Sequence, residues 1–230
     1  MLPRMGDPLD SEAKLRRLEI GRRFASLYDE LGPEELAAGQ DWSLDRPQTA
    51  LFLGTWSEQG LHRALDHYGV SAMLASRGIS AFAVEIDTSD PFLHVLRLRD
   101  SPSGEIFCEL RARTALGRDV GLPDRLADLQ VYVVEWLSIE NPHGQFREDR
   151  PPLPGQRRPG LGLGPEVEEI IVLAARRIGM SALVSWPNYF HNACLYYPRW
   201  MFVDPREDGR FAALVQTALV LIVVAAPRER

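Results

Sequence analysis

Two short stretches of this 230-residue chain gather residue types that can do chemistry: "GQRRPGLGLGPEVEEIIVLAARRIG" (Gly155–Gly179) and "NYFHNACLYY" (Asn188–Tyr197). In the first, Arg157 and Arg158 run into a turn built on Gly160, Gly162 and Gly164, and the turn runs into a helical pattern. Glycines let backbone approach a ligand with no Cβ in the way. A helix start offers unpaired N–H groups and a positive dipole end, which suit a pyrophosphate, and flanking arginines add charge-assisted contacts. The plain alternative is a flexible start to a helix, and the residues alone leave both open. In the second stretch Cys194 lies near His191 and Asn192, an arrangement that activates a thiol only if a base truly meets it.

The remaining candidates are scattered. Glu135 stands alone in "LQVYVVEWLSIE", a strand pattern apolar on both faces as a central strand is; it reads as a functional carboxylate or as an ion-pair member. His62, His67, His94 and His143 show no helical metal-ligand spacing, so no metal site is expected. Arg97, Arg99, Arg111 and Arg113 alternate along two adjoining strands and would share one face. That face is either a solvated surface paired with Glu109 or a basic docking patch.

Composition bounds the setting. The chain is 45% apolar and 25% charged with net charge −6, which fits a soluble globular protein and argues against broad nucleic-acid binding. Cys108 and Cys194 lie far apart and read as free thiols in a reducing cytoplasm. "FAALVQTALVLIVVAA" (Phe211–Ala226) is shorter than the roughly 20 residues of a membrane span and is interrupted by Gln216 and Thr217. It reads as a buried terminal helix that could finish in an extended "VLIVV", so no membrane partner is expected.

The elements follow from periodicity. An N-terminal helix carries Leu15, Leu18, Ile20, Phe24, Leu27 and Leu31 and ends at Gly32. A second helical region from Ser57 is broken at Gly69. "FAVEID", "HVLRLRD" and "EIFCELRART" alternate as strands, with Ile106, Cys108, Leu110 and Ala112 facing inward, and "SPSG" turns the second into the third. The long strand with Glu135 comes next, then a Pro- and Gly-rich loop from Asn141 to Gly164 of the length that is usually functional. Helix "PEVEEIIVLAARRIG" has Pro165 at its start, acids in its first turn and Gly179 as its stop. A short strand "SALVSW", a helix or turn over "NYFHNACLYY" and a last strand "WMFVD" complete a mixed α/β domain spanning 51–230. Residues 1–50 read as a helical extension.

"RRPGLG" fits Arg/Gln-x-x-Gly-x-Gly/Ala, and in this it resembles the pyrophosphate loop of the GNAT-type acyl-CoA N-acetyltransferases. The order of elements from Ser57 to Asp204 is similar to that fold, a largely antiparallel sheet flanked by helices. The resemblance implies acetyl-CoA or another acyl-CoA as co-substrate, held by Arg157, Arg158, Gly160, Gly162 and Gly164. It also implies a small-molecule or peptide amine as acceptor. "NYFHNACLYY" is similar to the family's Asn-led helix ending in Leu-Tyr. That places Asn188 at the cofactor, Tyr196 as the acid for the departing thiolate, and Tyr197 as its neighbour. Glu135 would be the general base, with Glu140 and His191 as further candidates. Here "NPHGQFREDRPPLPGQ" stands between strand and glycine loop, Pro159 removes one amide, and Asn188 and Tyr196 are one residue further apart than is usual. The second expectation is a non-catalytic binding module of the same fold that uses the arginine-bearing sheet face. A homodimer is compatible with either.

Overall fold

The computed structural model describes residues 8–37, 51–197 and 200–225. The boundary expected near residue 50, and much of the polar stretch before it, lie outside the described residues. Helices α1 (Pro8–Leu27) and α2 (Pro33–Leu36) precede α3 (Glu58–His67) and α4 (Val70–Ala75). Strands β1 (Phe82–Asp87), β2 (His94–Asp100), β3 (Ile106–Leu116) and β4 (Gln130–Ile139) follow. Then come α5 (Gly164–Arg177), β5 (Ala182–Ser185), α6 (Phe190–Tyr196) and α7 (Pro205–Ala225). The strands lie in sequence order in one open sheet. β1 to β4 are antiparallel, and β5 adds in parallel to β4 after the α5 crossover. The class read from the sequence, a mixed and largely antiparallel sheet flanked by helices, is the observed one.

Local signals set the element ends. The Ser57 hydroxyl accepts from the Gly60 amide at 2.9 Å and caps α3. Gly69, at φ +73°, separates α3 from α4 in the left-handed region that an L side chain resists. Val131, Tyr132, Val133 and Val134 are all buried, as a strand flanked on both sides requires. The core lies between the sheet and the helices: Phe24 of α1, Leu74 of α4, Val84, Leu98 and Phe107 of the sheet, and Leu173 of α5 belong to one cluster.

Four expectations need correction. On α1, Leu15 and Leu18 are 61% and 50% exposed, whereas Ile20 and Phe24 are buried. At 3.6 residues per turn the inward stripe runs back from Phe24 through Ile20 to Arg17, which leaves the two leucines on other sides. On β3 it is Phe107 that is buried while Ile106 is exposed. Leu98 pairs with Cys108 and Arg99 with Ile106, so Phe107 is an extra bulged residue and shifts Ile106 outward. Trp200–Asp204 form no strand. Trp200 is instead tied by its indole N–H to Glu168 at 2.6 Å, and Asp204 leads into α7 through Pro205. α7 stays helical through Ala225 and does not become extended at "VLIVV".

Candidate functional site

The site begins with an irregularity in β4. Opposite adjacent β3 residues Arg111 and Ala112 stand Trp136 and Val134, so Glu135 is an extra residue, a β-bulge. Val134 is also the last β4 residue to pair with β5, opposite Ser185. β4 runs on to Ile139 along β3, whereas β5 stops, because Trp186 is followed by Pro187, which has no N–H to donate. A cavity of about 490 Å³ opens where the two strands part, within the range of small-molecule sites. Leu137, Ser138 and Glu140 of β4 and its end line one wall, and His191, Asn192 and Tyr196 of α6 line another.

The glycine loop closes the far end. Its side chains alternate: Leu161 and Leu163 are buried in the core, and Gly160, Gly162 and Gly164 between them are exposed on the cavity side. The leucines peg the loop while the glycines present bare backbone. Among the described residues the amides of Gly160, Leu161, Gly162, Leu163 and Gly164 donate to no protein group, and the first loop-to-helix bond runs from the Val167 amide to the Leu163 carbonyl. Only Gly162 of the five sits at positive φ, +69°.

The inserted loop does not move this turn away from its strand. The Asn141 amide donates to the Pro159 carbonyl at 2.7 Å, so the insertion is pinched shut at its neck. A Cβ on Gly160 would lie 3.6 Å from the Ile139 carbonyl oxygen at the end of β4. The glycine turn therefore begins where an uninterrupted connection would place it. The insertion folds back over the cavity, and Tyr189 packs so closely on Gly155 that a Cβ there would sit 2.5 Å from its hydroxyl.

α1 supplies charge that the sequence pattern did not disclose. Arg16 lines the cavity and donates to the Gly162 carbonyl at 3.4 Å and to Glu166 at 3.0 Å. Arg17 pairs with Glu168 and donates to the Leu195 carbonyl at 3.0 Å, joining α1, α5 and α6. Glu166, Glu168 and Glu169 are all buried, so the first turn of α5 faces α1 and not solvent. Gly21 of α1 lies beside the Glu169 carboxylate, which a Cβ there would meet at an ordinary contact distance of 3.7 Å. The signal in the sequence was a basic pair on one helix and an acidic trio on another, with nothing to say that they meet.

The other named residues divide. Arg158 lines the cavity, held by the Pro142 carbonyl and by Glu105, both at 3.1 Å. Arg157 is 85% exposed and, among the described residues, approaches only the Glu140 carboxylate, at 4.0 Å. Glu135 and Asn188 line a smaller recess that adjoins the cavity, and Tyr196 lines both spaces. Burial, helped by the negative charge of Glu168, holds the Tyr196 hydroxyl above the ordinary tyrosine range. His191 stacks on Tyr189 with ring centroids 5.4 Å apart. Burial raises the Cys194 thiol, the reverse of what an activated nucleophile needs. Among the described residues no group of three His, Cys, Asp or Glu side chains is placed to hold a metal, and no helix is long and apolar enough to cross a membrane.

The arginine-bearing sheet face is neutralised. Arg97 meets Glu109 at 2.9 Å and Asp87 at 3.7 Å, Arg99 meets Glu85 at 2.7 Å, Arg111 meets Glu109 at 2.8 Å and Arg113 meets Glu135 at 2.7 Å. Hydrogen bonds from Arg99 hold Glu85 below the usual carboxylate range. Burial would raise Glu109, but its bonds from Arg97 and Arg111 outweigh that and lower it. Four arginines matched by four carboxylates make a mixed-charge ladder, not a basic patch.

No family model matches the chain, and neither does any curated protein. Two solved structures overlap about half of it. A ribosomal-protein-alanine N-acetyltransferase from Brucella melitensis biovar Abortus 2308 matches at 19% identity and TM-score 0.30, over 51% of this chain and 67% of that one. A point mutant of the BH1408 protein from Bacillus halodurans matches at 13% identity and TM-score 0.30, over 48% of this chain and 58% of that one. This chain thus spans less than two thirds of the BH1408 chain. At these values the likeness carries no weight for function, which has to be argued from the site.

Proposed function

We propose that the protein is an acyl-CoA-dependent N-acyltransferase that passes an acyl group directly from acetyl-CoA, or another acyl-CoA, to an amine. The observation that carries this reading is the cleft itself: it opens at the Glu135 bulge, where β5 leaves β4, and ends on five unpaired amides at a helix start. A pantetheine arm needs such a gap between strands, and a pyrophosphate needs such a cradle. Arg158 and Arg16 flank the loop and would add charge-assisted contacts to phosphate oxygens. Arg157, being solvent-exposed, would contribute at longer range.

In the reaction the amine nitrogen bonds to the acyl carbonyl carbon and the carbon–sulfur bond breaks. The amine's proton passes to the Glu135 carboxylate, and the departing sulfur takes the proton of the Tyr196 hydroxyl. A raised Tyr196 suits this role, since the group must hold its proton until the thiolate forms. His191 and Glu140, on the cavity wall, are the other bases within the site.

Calorimetric titration with acetyl-CoA and with free CoA tests the reading. Saturable micromolar binding by the native chain, lost in Gly160→Asp, is the expected result. Absence of heat from a folded sample at high ligand would overturn it.

A further inference from the structure

The recess beside the cavity has a composition of its own. It holds about 50 Å³, room for a few waters at the roughly 10–15 Å³ that each needs. Trp136, Leu137, Ser185, Tyr189, Asn192 and Tyr196 line it and the main cavity alike, so the two spaces meet along a common wall. Its own residues are Glu135, Trp186, Pro187 and Asn188. Four of the ten lining side chains are aromatic, one is a carboxylate, and none is a cation. Trp136 and Trp186 remain 41% and 48% exposed, large ring faces that protein covers only in part.

Electrostatics selects the occupant. Ring faces attract cations and give anions nothing. Glu135 is the one carboxylate among the lining residues, and it shares its charge with Arg113. Arg113, which is not among the lining residues, bonds Oε1 of that carboxylate from Nε at 2.7 Å. No described protein group donates to the second oxygen, Oε2. A recess of this size suits a small, unbranched ammonium head better than an aromatic or branched one. Asn188 and Asn192 also line the recess, and their amide oxygens are of the type that accepts N–H groups.

We infer that this recess is the seat of the acceptor, and that the acceptor is a primary alkylammonium on an unbranched chain, held by Glu135 and the faces of Trp136 and Trp186. The inference rests on the acyl-transfer reading for the meaning of "acceptor", but the recess binds its ligand without CoA. An ammonium seated there gives up one proton to the Glu135 carboxylate that holds it; as the freed amine attacks the thioester beside Tyr196, which borders both spaces, the Tyr196 hydroxyl gives its proton to the departing sulfur and takes the nitrogen's second proton in exchange.

The test uses the whole chain and n-butylamine hydrochloride, with n-butanol and sodium butyrate as neutral and anionic counterparts. Indole N–H resonances report binding, with Trp136 and Trp186 assigned from Trp136→Phe and Trp186→Phe and the buried Trp56 as internal reference. Saturable shifts of the Trp136 and Trp186 signals by butylammonium alone, weakened at least about tenfold in Glu135→Gln, are expected, since a hydrogen bond to an ionised group is lost. Equal shifts with butanol, or full binding by Glu135→Gln, would overturn the inference, and so would silence of both signals. Acetyl-CoA calorimetry on the same sample separates the two readings. Silent indoles with CoA bound remove the ammonium seat and leave the cofactor cleft; shifted indoles without CoA binding leave the seat and remove acyl transfer.

Discussion

Ser185 both pairs with Val134 in the last rung between β5 and β4 and donates its hydroxyl to the Val134 carbonyl at 3.0 Å. The next backbone donor of a longer β5 would have filled that place. The side chain therefore finishes the ladder at the point where the strands separate and the Glu135 bulge bends β4 away. A break in a sheet normally exposes unsatisfied backbone. Here one hydroxyl covers the first orphan carbonyl, and the cleft can stay open.

Replacing Ser185 by Ala removes that bond and leaves the carbonyl of the buried Val134 without this partner. The expected loss is about 1 kcal/mol of unfolding free energy, read as a lower urea midpoint at unchanged slope. Binding of acyl-CoA should weaken along with it, because the cleft edge is no longer fixed. An unchanged midpoint would mean that solvent already satisfies the Val134 carbonyl.

The glycines of the loop differ in what they need. Gly160 has an ordinary φ and room for a Cβ, which would meet the Ile139 carbonyl oxygen at an ordinary contact distance of 3.6 Å. Gly162 stands at φ +69°. Gly160→Ala should therefore keep its stability, and Gly162→Ala should lose about 1 kcal/mol from left-handed strain. Thermal melts of the two variants distinguish them. If both melt with the native chain, the loop conformation is not held as described.

Arg17 and Glu168 are 15% and 8% exposed and pair across α1 and α5. Removing one partner of a largely buried ion pair costs about 3 kcal/mol or more, whereas removing both costs far less. Arg17→Leu should destabilise by that order, and Arg17→Leu with Glu168→Leu should recover most of the loss, although Trp200 then loses its acceptor. A denaturation cycle over the four proteins measures the coupling. Additive losses would show that the Arg17–Glu168 pair is not coupled across the two helices.

Much of the layout was legible because period decides it. Alternation marked β1 to β3 and a run apolar on both faces marked β4, the Gly69 break and Gly179 stop were chemical necessities, and Pro165 with its acids announced α5. The GLGLG run was visible as a turn, but not the division of labour in which Leu161 and Leu163 anchor and the glycines face the cleft. Bulges escaped altogether: one extra residue at Phe107 or Glu135 leaves no mark in a hydrophobic pattern, since either neighbour fits. Long-range charge pairing escaped for a related reason. Arg17 and Glu168 lie 151 residues apart, and each alone reads as a solvated helix residue. The inserted loop looked like a displacement of the glycine turn, because only the Asn141–Pro159 bond, a tertiary fact, shows its ends meeting.

Tyr196 carries the pH prediction. Its hydroxyl is held above the ordinary tyrosine value of 10.0 first by burial and then by the charge of Glu168. In the proposed acyl transfer it donates its proton and works only while protonated, so activity should persist above the pH at which a free tyrosine ionises and fall only higher. Glu168→Gln removes the charge and leaves the burial, so the alkaline limb should move down but remain above the free value. The same sign governs stability. The unfolded chain releases this proton near 10.0 and the native chain does so later, so the stabilisation present below that pH is lost as pH rises through the native value. Tyr196→Phe should remove the limb and lower kcat by roughly 100-fold with little change in CoA affinity, the size typical of a lost general acid. Rate profiles of the three proteins, with tyrosinate absorbance titrated alongside, make the check. A Phe variant that keeps both its limb and its rate would place the acid elsewhere in the cleft.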